Sequence, residues 1–249
     1  MSLATTLRDL HVPGTPVVLP NAWDAASARM VEEAGFPAVS TSSFATATIL
    51  GYDDGEEAPV DDVLAAAARI ARAVSVPVTV DFERGFRLAP AELVERFAAT
   101  GAAGLNLEDS DPATGAMIDP GEQADFLAAI RAADPDLVIN ARIDTFIRRD
   151  GSPEKQLRTA TDRAARYLAA GADCVYPIGT GDPDTIRALT NISGPVNIGY
   201  GQGTNSVDEL AALGAARITF GPMLQRRLYA DLADSILPTL RAGGNPFTP

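Results

Sequence analysis

The chain has 249 residues, 46% hydrophobic and 21% charged, a globular composition that excludes a disordered or fibrous protein. With 20 Lys and Arg against 33 Asp and Glu, the net charge of −13 argues against nucleic acid or a membrane surface as partner. A single cysteine excludes an intrachain disulfide. No apolar run approaches the ~18 residues of a membrane span, and Arg8 and Asp9 interrupt any leader-like start, so a cytoplasmic protein is expected.

Short β-branched runs alternate with alanine-rich amphipathic stretches along the chain. Pro16-Val17-Val18-Leu19-Pro20 precedes a predicted helix at 24–34, closed by Gly35. Ala38-Val39-Ser40 leads through a long polar loop to a helix at 60–73. Val76-Pro77-Val78-Thr79-Val80-Asp81 precedes a helix that starts at Pro90, where proline suits the first turn. Gly104-Leu105-Asn106-Leu107-Glu108 is followed by a helix at 120–133. Leu137-Val138-Ile139-Asn140-Ala141-Arg142 is followed by one at 153–170. Cys174-Val175-Tyr176-Pro177, Pro195-Val196-Asn197-Ile198 and Arg217-Ile218-Thr219-Phe220 complete the strands, with helices at 183–190, 206–213 and 222–240. Eight strand-then-helix units predict an α/β chain folded as a (β/α)8 TIM barrel, one domain over 1–249. A doubly wound sheet would offer Gly-x-Gly-x-x-Gly after its first strand, where this chain has Asn21-Ala22-Trp23-Asp24.

In such a barrel the site lies at the C-terminal ends of the strands. Those ends carry Asn21 and Trp23; Ser40, Thr41, Ser42 and Ser43; Asp81 and Glu83; Asn106, Glu108 and Asp109; Asn140, Arg142 and Asp144; Tyr176; and Asn197. Several carboxylates brought together are costly unless a cation compensates. Oxygen donors in that number suit Mg²⁺ or Mn²⁺. The one histidine, His11, precedes the first strand, which leaves no zinc site and suggests a surface or subunit-contact position. Arg142, in an otherwise apolar strand, is the natural clamp for a substrate carboxylate. Metal, arginine and serine hydroxyls together describe a site for a small dianionic 2-oxo acid. Cys174 reads as core, and the glycine-rich segment at 199–203 as a flexible loop rather than a phosphate site.

With those residues in place, the chain resembles the isocitrate lyase / phosphoenolpyruvate mutase superfamily over nearly its full length. The likeness is carried by the segment 19–28 beginning Leu19-Pro20-Asn21-Ala22-Trp23-Asp24, the serine turn at 40–43, and Gly51-Tyr52-Asp53-Asp54-Gly55. Asp81-Phe82-Glu83-Arg84-Gly85-Phe86, Asn106-Leu107-Glu108-Asp109 and Asn140-Ala141-Arg142 complete it. The resemblance implies Mg²⁺ held at Asp81, Glu83 and Glu108, largely through water, with Glu83 in place of the family's more usual aspartate. It implies a substrate carboxylate on Arg142, carboxylate and keto oxygens on the serine turn, and Asp54 on a loop near the reacting group. A homotetramer, a dimer of dimers that swap their last helices, is also implied.

One departure bears on the reaction. The lyases carry a Lys-Lys-Cys-Gly-His loop after strand four and the mutases carry lysine and asparagine there. This chain has Ser110-Asp111-Pro112-Ala113-Thr114-Gly115-Ala116-Met117-Ile118-Asp119. With the loop cysteine absent, Asp54, then Tyr176 and Asp109, are the candidate proton donors. The expected function is C–C bond cleavage next to the keto group of a small 2-oxo acid, as lyase or decarboxylase. Asp54, Arg142 and Tyr176 are the expected catalytic residues, with Trp23, Ser40, Ser42, Ser43, Asp81 and Asn197 binding substrate. P–C bond cleavage in a phosphonopyruvate-like substrate and non-catalytic 2-oxo acid binding are the alternatives.

Overall fold

The structure is a computed structural model that describes residues 1–201 and 205–247. Its strands are β1 (Val17–Leu19), β2 (Asn21–Ala22), β3 (Val39–Thr41), β4 (Val78–Asp81), β5 (Gly104–Glu108), β6 (Val138–Ile143), β7 (Cys174–Pro177), β8 (Asn197–Gly199) and β9 (Arg217–Thr219). Every pairing is parallel. Strands β2 to β7 form one run in chain order, and β1, β9 and β8 form another. A bridge from Val175 to Val196 joins the two runs on one side, and the chain passes directly from β1 to β2 on the other. The result is the expected (β/α)8 barrel. Its first stave is divided because Pro20 has no N–H for the ladder, so β1 turns to β9 and β2 to β3.

The predicted helices are all present, and those beginning at Pro90, Pro120, Pro153 and Pro183 have proline in the first turn. Three helices were not expected, the shortest being the single turn Thr145–Arg148. The segment taken as a polar loop holds the helix Ser43–Leu50, started by the Ser42 hydroxyl and stopped by Gly51 at φ 84°. Apolar residues surround this helix, so it lacks the one-sided pattern that marks an amphipathic helix. At the N-terminus, Leu3–Asp9 forms a helix capped by Ser2.

That first helix closes the floor of the barrel. Leu7 is fully buried and packs with Val17, Leu19, Ala38, Ala103 and Val138, all at or beside the N-terminal ends of strands. Gly104 is required there, since a Cβ would lie 2.7 Å from the Val138 carbonyl oxygen. His11 follows the helix and is buried, which corrects its expected surface position. Its Nδ1–H donates to the Leu7 carbonyl at 2.8 Å, and burial, with Arg217 nearby, lowers its pKa to about 4. Cys174 is fully buried, as expected of core, and burial pushes its thiol up to about 12.

The chain ends in one long helix, Met223–Asp231 running through a π-helical turn, Leu232–Ile236, into Leu237–Arg241. Pro238 lacks an N–H and its ring crowds the carbonyl four residues back, which the wider turn relieves. Among the described residues, no helix is long and apolar enough to cross a membrane.

Candidate active site

Parallel register sets the acidic and basic strand ends side by side. Asp81 pairs with Asn106, Glu108 with Arg142, and Arg142 with Tyr176. Above them opens a cavity of about 210 Å³. Asn21, Thr41, Ser42, Ser43, Asp54, Asp81, Asn106, Arg142, Tyr176 and Arg226 are among the residues that line it.

Asp81 is held from two sides. Its N–H donates to the Thr41 hydroxyl at 3.0 Å, and its Oδ2 accepts from the Ser43 N–H at 3.0 Å. Its Oδ1 is buried without a hydrogen-bond partner. A carboxylate oxygen left this way is costly in isolation, so a ligand at this atom would gain the whole of that deficit.

Arg142 is the cation among these acids. Its Nη1 meets Glu108 Oε2 at 2.7 Å, while Nε and Nη2 reach the two oxygens of Asp144 at 2.7 and 3.2 Å. Burial works against its charge, but Asp144 and Glu108 outweigh it and the guanidinium stays protonated. Three of its five N–H donors are engaged, leaving two for a substrate in the cavity. Burial pushes the Glu108 carboxyl up, Arg142 draws it back, and Asp144, Asp81 and Glu83 push it up again. Burial also raises the Tyr176 phenol, with Arg142 opposing.

Glu83 is not part of the lining but its charge is felt there. Burial, then Asp54 and Asp81, push its carboxyl up to about 8. Its Oε2 accepts from the Glu56 N–H at 2.6 Å, and Glu56 Oε1 in turn accepts from the N–H groups of Phe86 at 2.6 Å and Arg84 at 3.1 Å. These reciprocal bonds tie the loop that carries Asp54 to the one that carries Glu83. Asp54 sits at the exposed edge of the cavity, where burial of its carboxyl and then Asp81 raise its pKa, against Ser43 and Arg142.

Four expected residues are placed elsewhere. Trp23 lines a separate groove with Ile49, Leu50 and Ala66; it lies past the end of β2, in the turn into the helix Ala25–Glu33, where its N–H donates to the Ser27 hydroxyl at 3.1 Å. Ser40 is fully buried; its hydroxyl donates to the Thr41 carbonyl at 3.3 Å and accepts from Asn21 Nδ2 at 3.4 Å. Asn197 is fully buried below the cavity and accepts from the Thr219 hydroxyl at 3.2 Å. Asp109 is turned away altogether. Its Oδ2 accepts from Arg163 Nη1 at 3.0 Å and from the Tyr167 hydroxyl at 2.8 Å, and its Oδ1 from the Asp144 N–H at 2.9 Å. Both oxygens are spent, so it cannot donate a proton to substrate. Of the glycine-rich segment, Gln202 and Gly203 lie outside the described residues. Sequence reasoning gave no role to Asp144, although it stands two positions past Arg142, the spacing of one strand face. It missed Arg226 entirely, and nothing in the helix pattern marks it.

The donor set fits a hard cation with a water-filled shell. All available donors are oxygens and Asp81 Oδ1 lacks a partner, but among the described residues no three carboxylates or imidazoles converge to ligate one ion directly. Asp109 carries a different load. Replacing it with Asn leaves Arg163 buried and unpaired, so Asp109→Asn is expected to lower unfolding stability by about 3–5 kcal/mol. Denaturant melts measure this; an unchanged midpoint would show the pair to be dispensable.

A family model described as phosphoenolpyruvate phosphomutase matches residues 7–238. The chain is 32% identical over 245 residues to the phosphoenolpyruvate phosphomutase of Streptomyces hygroscopicus, covering 90% of this chain and 76% of that one. A crystal structure of a candidate phosphonomutase from Burkholderia cenocepacia J2315 superposes with a TM-score of 0.89 at 39% identity, covering 94% of this chain and 98% of that one. Oxaloacetate acetylhydrolase, solved with its product oxalate, superposes with a TM-score of 0.86 at 25% identity, covering 100% of this chain and 90% of that one. The barrel, the rim of acids around Arg142 and these matches agree: the chain belongs to the phosphoenolpyruvate phosphomutase family, within the isocitrate lyase / phosphoenolpyruvate mutase superfamily of lyases and mutases.

Proposed function

We propose that this protein is a Mg²⁺-dependent C–C bond lyase or decarboxylase that acts on a small 2-oxo acid or its enolate. The substrate class is an oxaloacetate-like 2-oxo acid, or a methylisocitrate- or dimethylmalate-like 2-hydroxy acid whose cleavage yields one. One observation carries the reading: Arg142 with two free donors, the unpartnered Asp81 oxygen and Asp54 all face one cavity. Asp81 would hold the ion directly, with Glu83 and Glu108 reaching it through water. When bound, it supplies Lewis-acid polarisation of a keto oxygen. Arg142 binds the substrate carboxylate, and Thr41, Ser42 and Ser43 fix its orientation. In a β-carboxylated 2-oxo acid, the bond from the carbon beside the keto group to that carboxylate breaks, CO₂ leaves and the electron pair passes into the keto group to give an enolate. In a 2-hydroxy acid, the hydroxyl gives its proton to Asp54, the adjacent C–C bond breaks to release the 2-oxo acid, and the pair passes into the other fragment's carboxylate to give an enolate. Asp54 then donates its proton to the enolate carbon. Burial and Asp81 hold that proton on Asp54 at a higher pH than usual, which suits a donor.

We also propose that copies of this chain assemble through the terminal helix as a dimer of dimers. Leu228, Tyr229, Leu232, Leu237 and Leu240 are exposed along it, more apolar surface than a monomer leaves in water. Light scattering in solution is expected to give the tetramer mass; a monomer mass would overturn the assembly.

Oxalate, which mimics the enolate, is expected to bind with Mg²⁺, to be lost on adding excess chelator and to return on adding metal back. Equal binding in chelator would remove the metal from the reading. Asp54→Asn is expected to keep oxalate affinity while lowering turnover by roughly 10²–10⁴-fold, the worth of a positioned acid. The assay is turnover of oxaloacetate, 2-methylisocitrate, dimethylmalate and phosphonopyruvate by both proteins. Turnover of phosphonopyruvate alone would move the reaction to the P–C bond, and oxalate binding without any turnover would make the protein a 2-oxo acid binder.

A further inference from the structure

We propose that Arg226 is the specificity-determining residue that reads the second anionic group of a dianionic substrate, at the end of the cavity opposite the keto acid. The inference rests on the reading of this cavity as a 2-oxo acid site and adds the residue that selects among such acids.

Of the described residues that line the cavity, only Arg142 and Arg226 carry positive charge. Arg142 is bound to Glu108 and Asp144, and the donors it has left serve one carboxylate. A second anion therefore needs another cation. The loop at 110–119 contains neither Lys nor Arg. Arg148, which reaches that loop, donates to the Ser110 hydroxyl at 2.8 Å and lies 3.8 Å from Asp144. Arg226 has no such commitment. Among the described residues its guanidinium makes no ion pair or hydrogen bond, and its one contact is the face of Phe44 at 4.0 Å.

That contact positions the charge without spending its donors. A guanidinium stacked on a ring keeps its N–H edge free for an oxyanion. The stack is fixed from both ends. Gln225 is buried and its Nε2 donates to the Ala45 carbonyl at 3.0 Å, which pins the first turn of the terminal helix to the helix Ser43–Leu50. Phe44 adjoins Ser43, whose N–H holds Asp81. Arg226 is thereby referenced to the same turn that orients the reacting end of the substrate. The second group can be a carboxylate or a phosphonate, since both present the paired oxygens that a guanidinium edge matches.

The test compares short and extended anions on Mg²⁺-loaded protein by calorimetry. Oxalate occupies the inner end alone, whereas 3,3-difluorooxaloacetate and sulfopyruvate add a far carboxylate or sulfonate. Arg226→Met is expected to weaken both extended ligands roughly 10- to 100-fold, the loss of a charged hydrogen-bonded contact, while oxalate stays within about twofold. Arg226→Lys is expected to restore part of the loss, because it returns charge without the fork. A loss for only one extended ligand identifies which anion the site reads. Unchanged affinity for both, or an equal loss for oxalate, overturns the role of Arg226. Failure of the parent protein to bind oxalate at all would instead overturn the reading of the cavity, and this inference with it.

Discussion

Arg142 stands where the acidic strand ends meet, and its pairing with Glu108 and Asp144 is what lets the barrel rim hold so much negative charge. Moving a carboxylate out of water costs several kcal/mol, which a single well-placed guanidinium offsets only in part. The remainder is visible in the neighbours. Glu83, Glu108 and Asp54 all bind protons more tightly than free carboxyls do, each chiefly because of burial. A rim in that state is poised for one more positive charge. The physics that makes clustered, partly paired acids costly is the same physics that would draw in a divalent ion and then an anionic substrate.

How much of this could be read from sequence follows from geometry. Strand ends are legible because the C-termini of parallel strands open on one rim, so the residues there must share a site whatever the loops do. Asp81, Glu108, Arg142 and Tyr176 were found in that way, and register brings them together. Trp23 was misjudged because the strand ends at Ala22, and the residue between it and the Asp24 N-cap belongs to the turn into the helix Ala25–Glu33. Asp109 was misjudged because adjacent residues leave a strand on opposite faces. Glu108 turns toward Arg142, while Asp109 turns toward Arg163 and Tyr167 on the helix Pro153–Ala169. Arg226 lies on a helix whose placement depends on Gln225 and Ala45, far apart in the chain, and no local pattern reports such a contact.

The acidic residues thus divide into two layers with different work. Asp109 and Asp144 are fully buried, and their bonds to each other's chain segments and to Arg163, Tyr167 and Arg142 lock the ends of β5 and β6 together. Glu108 pairs with Arg142, while Asp81 faces the cavity and keeps an oxygen without a partner. A rigid outer layer is what allows the inner one to stay under-satisfied, since a poorly paired carboxylate would otherwise swing toward water.

The same division explains the loops. Glu56, Glu83, Phe86 and Arg87 all adopt positive φ, between 48° and 63°, a conformation that costs a non-glycine residue on the order of 1–3 kcal/mol. Four such residues in two facing loops persist only because the Glu56 carboxylate and the Glu83 carboxylate each accept backbone N–H groups from the opposite loop. The strain fixes Glu83 at the rim in spite of its longer and more flexible side chain. It also holds the loop of Asp54 against the loop of Glu83, just beyond Asp81, whose charge adds to burial in raising the Asp54 pKa. The loop of Asp54 and the acidic rim are therefore held by one strained clasp, which references the position of Asp54 to Glu83 through backbone hydrogen bonds rather than through its own exposed side chain.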